Sequence, residues 1–168
     1  LFVLKDYQQN RLLTLINPQR DPFGSGYQVS QSIIAVGSGG FLGRGFGLGS
    51  QSQLRFLPEA KTDFVFSVLA EELGWLITFF VLILYFVLFW RMFKIIKSSY
   101  DNFSLFCVFG IAIIFFIQII INIGMNLGIA PITGIPLPLL SYGGSSLITS
   151  LIALGVVESI AVHQIRLS

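Results

Sequence analysis

Residues 103–125 read Phe-Ser-Leu-Phe-Cys-Val-Phe-Gly-Ile-Ala-Ile-Ile-Phe-Phe-Ile-Gln-Ile-Ile-Ile-Asn-Ile-Gly-Met, and this stretch decides the fold. A hydrocarbon core about 30 Å thick is crossed by about 20 apolar residues in a helix, and the run reaches that length without a charge. The uncharged region is wider still, from Asn102 to Val157. It has room for two crossings and a connection. Upstream, Leu73 to Trp90 is also uncharged, and Arg91, Lys94, Lys97 and Asp101 follow at once. The pattern predicts transmembrane helices over 64–90, 103–125 and 145–162, with Ser145 or Ser146 capping the last.

Composition agrees. Hydrophobic residues make up 54% of the chain and charged residues 11%, where a soluble domain carries roughly 25% charged residues. A water-facing surface needs charge, and a lipid-facing one excludes it. A net charge of +2 gives no reason to expect nucleic acid as a partner. The single cysteine, Cys107, lies inside an apolar run and forms no intrachain disulfide. The chain starts Leu-Phe-Val-Leu, which resembles the end of a helix already under way, and no signal peptide is visible. Residues 1–4 are therefore read as the end of a preceding span, and the chain as a fragment.

The spans are separated by dissimilar connections. Residues 5–63 are polar and irregular, and more than half of the glycines fall between Gly24 and Gly49. Within this loop Tyr27 to Val36 predicts a short helix ended by Gly37, since glycine accepts the left-handed cap conformation. Residues 126–144 contain Pro131, Pro136 and Pro138, too closely spaced for a regular helix. At membrane depth such backbone is buried in protein or lines a wet cavity. The short turn 91–102 holds three basic residues and the tail 163–168 holds Arg166, so the positive-inside rule puts both in the cytoplasm. Long loops cross largely regardless of charge. The 5–63 loop and the re-entrant 126–144 segment are then extracytoplasmic and face each other. The fold class is an all-α membrane protein, a polytopic helical bundle with a large extracytoplasmic loop.

Four groups of residues carry chemistry. Pro58-Glu59-Ala60-Lys61-Thr62-Asp63 places two carboxylates and a lysine where the loop enters a span. Asp63 would stand in the first helical turn, where the dipole favours its ionised form, or Thr62 or Asp63 would simply cap the helix. Glu71 and Glu72 lie deeper, where ionisable groups are costly. They point about 100° apart and cannot share a partner face, and one is expected to pair with a basic residue from another helix. The glycine run 37–49 lacks the register and strand–helix context of a dinucleotide loop. It reads as a tight turn wedged between helices, or as a phosphate cradle of backbone amides around Arg44. The Pro136–Ser146 segment reads as a re-entrant turn and as a cavity wall with Ser141 on it. His163 and Glu158 are assigned to the inner interface.

These strings, taken in order, resemble the SEDS family of cell-wall polymerases, which includes RodA and FtsW. The resemblance rests on Asp21-Pro22, Gly26-Tyr27-Gln28, Ile34-Ala35-Val36-Gly37-Ser38-Gly39-Gly40, Gln51-Ser52-Gln53-Leu54, Phe56-Leu57-Pro58-Glu59 and Thr62-Asp63-Phe64. It continues through Glu71-Glu72-Leu73-Gly74, Asn122-Ile123-Gly124-Met125 and Pro136-Leu137-Pro138-Leu139 to Ser141-Tyr142-Gly143-Gly144-Ser145. Gly134-Ile135-Pro136-Leu137-Pro138 is more similar to the elongation type than to the division type. The resemblance implies a bundle of about ten transmembrane helices in the bacterial cytoplasmic membrane, of which this chain would hold the end of the seventh and the eighth to tenth. It implies a peptidoglycan glycosyltransferase that polymerises lipid II beside a class B penicillin-binding protein transpeptidase, with the essential aspartate at Asp63.

Glycosyl transfer from a lipid pyrophosphate needs a base for the acceptor hydroxyl and positive charge for the leaving group. Asp63 would be the base or would hold a divalent cation, Mg²⁺ or Mn²⁺, with Glu59 assisting. Arg44, Arg55 and Lys61 are the candidates for phosphate contact. Lys61 departs from the family pattern, where His is frequent. Competing expectations are a flippase for the lipid-linked precursor, with Glu71, Glu72 and the 126–144 break along its path, and a scaffold for the transpeptidase. The intact Glu59–Asp63 cluster argues against a degenerate scaffold.

Overall fold

The computed structural model describes residues 24–53, 62–99 and 101–167. Every regular element among them is an α-helix: α1 (Ser25–Ser38), α2 (Ser50–Gln53), α3 (Val65–Lys97), α4 (Asn102–Asn126) and α5 (Gly144–Leu167). Three of these, α3, α4 and α5, are long and apolar enough to cross a membrane. Their outward sides carry exposed Phe79, Phe80, Phe86, Phe116 and Ile152. A helix apolar on all sides suits a protein core or a membrane span, and the length of these three fits a span.

Two ends of the bundle are packed differently. At the end near Asp63, Val29 and Ala35 of α1 join Phe64 and Ile132, and Val36 joins Phe66, Ala70, Ile119 and Leu137. At the other end Met92, Val108 and Val157 draw α3, α4 and α5 together. The basic residues after Trp90 do not lie in a loop. Helix α3 continues past them to Lys97, and only Ser98 to Asp101 connect it to α4. Lysine and arginine are good helix formers, so loss of hydropathy does not end the helix. Asp101 caps α4 through a 3.2 Å bond from the Ser104 amide.

Other ends also shift. Helix α1 runs through Gly37 to Ser38, because Gly37 lies open and helical there and needs no left-handed cap. Helix α5 starts at Gly144, so Ser145 and Ser146 lie in its first turn and not at the cap. Helix α3 starts at Val65. Phe64, and not Thr62 or Asp63, occupies the cap position.

Helix α3 is broken at Gly74, whose φ of 78° and ψ of 177° are not helical. In an unbroken helix the amides of Trp75 and Leu76 would bond the carbonyls of Glu71 and Glu72. Here they donate to Gly40 O (2.9 Å) and Phe41 O (3.2 Å), while the Glu71 and Glu72 carbonyls accept from the Arg44 (2.9 Å) and Gly45 (3.0 Å) amides. The glycine loop is thus inserted into the break, and the four freed backbone groups are all re-paired. A side chain at Gly39 or Gly43 would collide with the α3 backbone. An unpaired backbone group in hydrocarbon costs several kcal/mol, so the break and the loop require each other.

Candidate active site

Asp63 stands at the junction of α3, α4 and the segment between α4 and α5. Two asparagines of α4 fix it by its backbone. Asn122 Nδ2 donates to the Asp63 carbonyl at 3.0 Å and to Ile135 O at 2.8 Å. Asn126 Nδ2 donates to the same Asp63 carbonyl at 3.1 Å and to Asn122 O at 2.8 Å. Asn126 Oδ1 accepts from the Ser67 amide at 3.1 Å and from the Ser67 hydroxyl. The Ser67 and Ser32 hydroxyls stand 2.6 Å apart, and Ser32 Oγ of α1 also reaches Asn126 O, so the two hydroxyl protons serve two of these three contacts at a time. Asn122, Asn126, Ser32 and Ser67 are all fully buried. A polar network satisfied in a dry interior holds its members rigidly, and this one ties three helices to the backbone of Asp63.

The carboxylate side faces the proline-rich segment. Gly134 sits at φ 72°, and a methyl group there would stand 3.5 Å from Asp63 Oδ2. Ser141 is buried, donates its hydroxyl to Thr62 O at 2.6 Å and accepts the Leu137 amide at 2.7 Å. It therefore links the segment to the residue before Asp63. Tyr85, from the middle of α3, donates to Pro138 O. Described parts of the 5–63 and 126–144 stretches meet here, through Thr62 with Ser141 and Val29 with Ile132.

Arg44 is placed on the glycine loop. Its Nε donates to Ser38 O at 3.3 Å and a terminal nitrogen to Ser50 Oγ at 2.7 Å. Ser50 in turn bonds Glu71 Oε1 at 3.2 Å, which also accepts the Gln51 amide at 2.9 Å. Glu72 accepts the Gly47 amide at 3.1 Å. The two carboxylates thus take separate partners on the loop. The Arg44, Gly45 and Gly47 amides are spent on α3, so they form no phosphate cradle. The residue tied to Arg44, Glu71, is about 9 Å along the axis from the start of α3 at 1.5 Å per residue. Glu59, Lys61 and Arg55 lie outside the described residues.

The network around Asn126 was not assigned from the sequence, although a signal for it exists. Asn122 and Asn126 are polar positions four apart in a largely apolar span, hence on one face. Asn126→Leu is expected to destabilise the full-length protein by at least about 2 kcal/mol, because Ser67 N–H loses its acceptor in a dry site. The check is a lowered melting temperature in detergent, together with reduced activity. An unchanged melting temperature would show the network is not what holds Asp63.

A multi-pass helical membrane protein that clamps an aspartate at the mouth of its bundle is the class this architecture defines. The family model described as "Cell cycle protein", covering FtsW, RodA and SpoVE, matches residues 1–166. The chain belongs to this family. It is 47% identical over 167 residues to the peptidoglycan glycosyltransferase MrdB of Escherichia coli K12, covering 99% of the chain and 45% of that protein. It is 45% identical to RodA of Treponema pallidum (97% and 38% covered) and 44% identical to stage V sporulation protein E of Bacillus subtilis (92% and 42%). A solved chain from a study of polymerization and crosslinking by a peptidoglycan synthase complex superposes with a TM-score of 0.72 at 37% identity, over 96% of this chain and 43% of that one. The chain thus spans less than half the length of these relatives.

Proposed function

We propose that the full-length protein is a peptidoglycan glycosyltransferase of the elongation type, polymerising lipid II at the outer face of the bacterial cytoplasmic membrane. The observation that carries this reading is the double asparagine clamp on the Asp63 carbonyl. It fixes the backbone that carries the Asp63 carboxylate at the junction of α3, α4 and the segment between α4 and α5. The names of the relatives, MrdB and RodA among them, support the same reaction.

In this scheme Asp63 takes the proton of the acceptor sugar hydroxyl. The oxygen attacks the anomeric carbon of the donor, and the bond to the lipid pyrophosphate breaks. Arg44, Arg55 and Lys61 are the candidates to receive the pyrophosphate charge, and Glu59 would assist Asp63. Ser141 acts in this scheme by positioning Thr62 and Asp63. A divalent cation, Mg²⁺ or Mn²⁺, belongs to the proposal with Asp63 as its protein ligand. Among the described residues no three metal-binding side chains gather, so the fit is to an ion of the kind held by one carboxylate and substrate phosphates. When bound it would supply positive charge to the departing pyrophosphate. A class B penicillin-binding protein is the proposed partner, in keeping with the complex that supplied the solved neighbour.

The test is to incubate the full-length protein and its transpeptidase with fluorescent lipid II in detergent, and separately to assay lipid II translocation in vesicles. Glycan polymer is the expected product. Translocation without polymer would replace this reading with the flippase.

A further inference from the structure

The far end of the bundle carries a second site that the proposed reaction does not use. Between the ends of α3 and α5 lies a cavity of about 480 Å³ lined by Arg91, Lys94, Ser98, Glu158 and Gln164. An apolar groove of about 390 Å³ adjoins it, lined by Leu88, Met92, Leu154 and Val157 and sharing Arg91, Ile95 and Glu158 with the polar cavity. Gly155 borders the groove with open space where a side chain would stand. Polar cavity and apolar groove are thus continuous.

Their depth in the membrane is marked. Trp90 is 53% exposed and Lys94 Nζ lies 5.8 Å from its ring centroid. Tryptophan collects at the headgroup level, and basic pockets between helices on the cytoplasmic side hold lipid headgroups. The polar cavity therefore lies at headgroup level, with the apolar groove leading toward the acyl chains. The charges narrow the ligand further. Arg91 and Lys94 suit a phosphate, for which the guanidinium fork is matched. Glu158 lines the same cavity, and its carboxylate repels a headgroup that is only anionic. It pairs with a primary ammonium. Gln164 is held on this wall by its 2.9 Å bond to Ser99 Oγ.

We propose that this groove binds a phospholipid with a phosphoethanolamine headgroup, the phosphate on Arg91 and Lys94 and the ammonium on Glu158. The test uses delipidated full-length protein, native mass spectrometry, and added dioleoyl phosphatidylethanolamine or dioleoyl phosphatidylglycerol. The parent is expected to retain the ethanolamine lipid in preference by about fivefold, the worth of one charge near a membrane surface. Glu158→Gln is expected to abolish that preference, and Arg91→Gln to weaken retention of both lipids. Glu158 and Arg91 are exposed, so both variants should melt as the parent does. A preference that survives Glu158→Gln would overturn the proposal. So would retention unchanged in both variants, the result if other protein segments fill the groove.

Discussion

Asp63→Asn in the full-length protein is expected to lower lipid II polymerisation by about 10²- to 10⁴-fold, the range for loss of a general base. The substitution keeps the side-chain volume and removes the charge and the proton acceptor. The asparagine clamp should stay in place, because Asn122 and Asn126 grip the carbonyl of residue 63 and not its carboxylate. Phe64, and not Asp63, occupies the cap position of α3. The two readouts together are decisive. Parent-like melting with activity lost would put the carboxylate at the chemistry. Parent-like activity would remove Asp63 as base, and a collapse in melting temperature would make its role structural. Asn126→Leu is the matching control, since it should lower both quantities by displacing the backbone that carries the carboxylate.

The spans were readable because lipid imposes one crude rule, the exclusion of charge, over long stretches. Their ends were not. Arg91, Lys94 and Lys97 mark where the chain leaves the hydrocarbon, but the helix persists on their own propensity to Lys97. Gly144 opens α5 where serine was expected to cap it. Asp63 was singled out as a candidate through its local string of neighbours. What positions it was not, because Asn122 and Asn126 reach it from 59 and 63 residues away, and Ser141 reaches its neighbour Thr62 from 79. Local pattern holds no record of such pairings. Glu71 and Glu72 stood out as ionisable groups in a span, but their bonds to Ser50, Gln51 and Gly47 come from loop atoms whose approach depends on a helix break that no local pattern marks. A lone glycine such as Gly74 is common in membrane helices and gives no warning of a break.

That break leads to the other large effect. Gly74→Ala is expected to destabilise the full-length protein by at least about 3 kcal/mol, since a non-glycine residue in this backbone region carries about 1–3 kcal/mol of strain and the added methyl meets backbone as well. That methyl would collide with Gly43 N and the Leu42 carbonyl carbon, neither of which is a flexible side-chain end. Alanine also favours the continuous helix by about 1 kcal/mol over glycine. The chain then has a cheap local escape: α3 straightens, the Trp75 and Leu76 amides return to the Glu71 and Glu72 carbonyls, and the loop is expelled. The loop cannot follow that repair. Arg44 and Gly45 lose their acceptors, Gly40 and Phe41 lose their donors, and the loop bonds to the Glu71 and Glu72 carboxylates are lost with them. Hydrogen exchange is the discriminating measurement, because melting alone would not separate strain from straightening. Straightening predicts fast exchange at the Arg44, Gly45 and Gly47 amides with protection kept at Trp75 and Leu76. If all five amides stay protected and the melting temperature is unchanged, the glycine at position 74 is not what admits the loop. Equal loss of protection at all five would mean that the upper part of α3 unfolds with the loop, and that the loop is a structural part of the span.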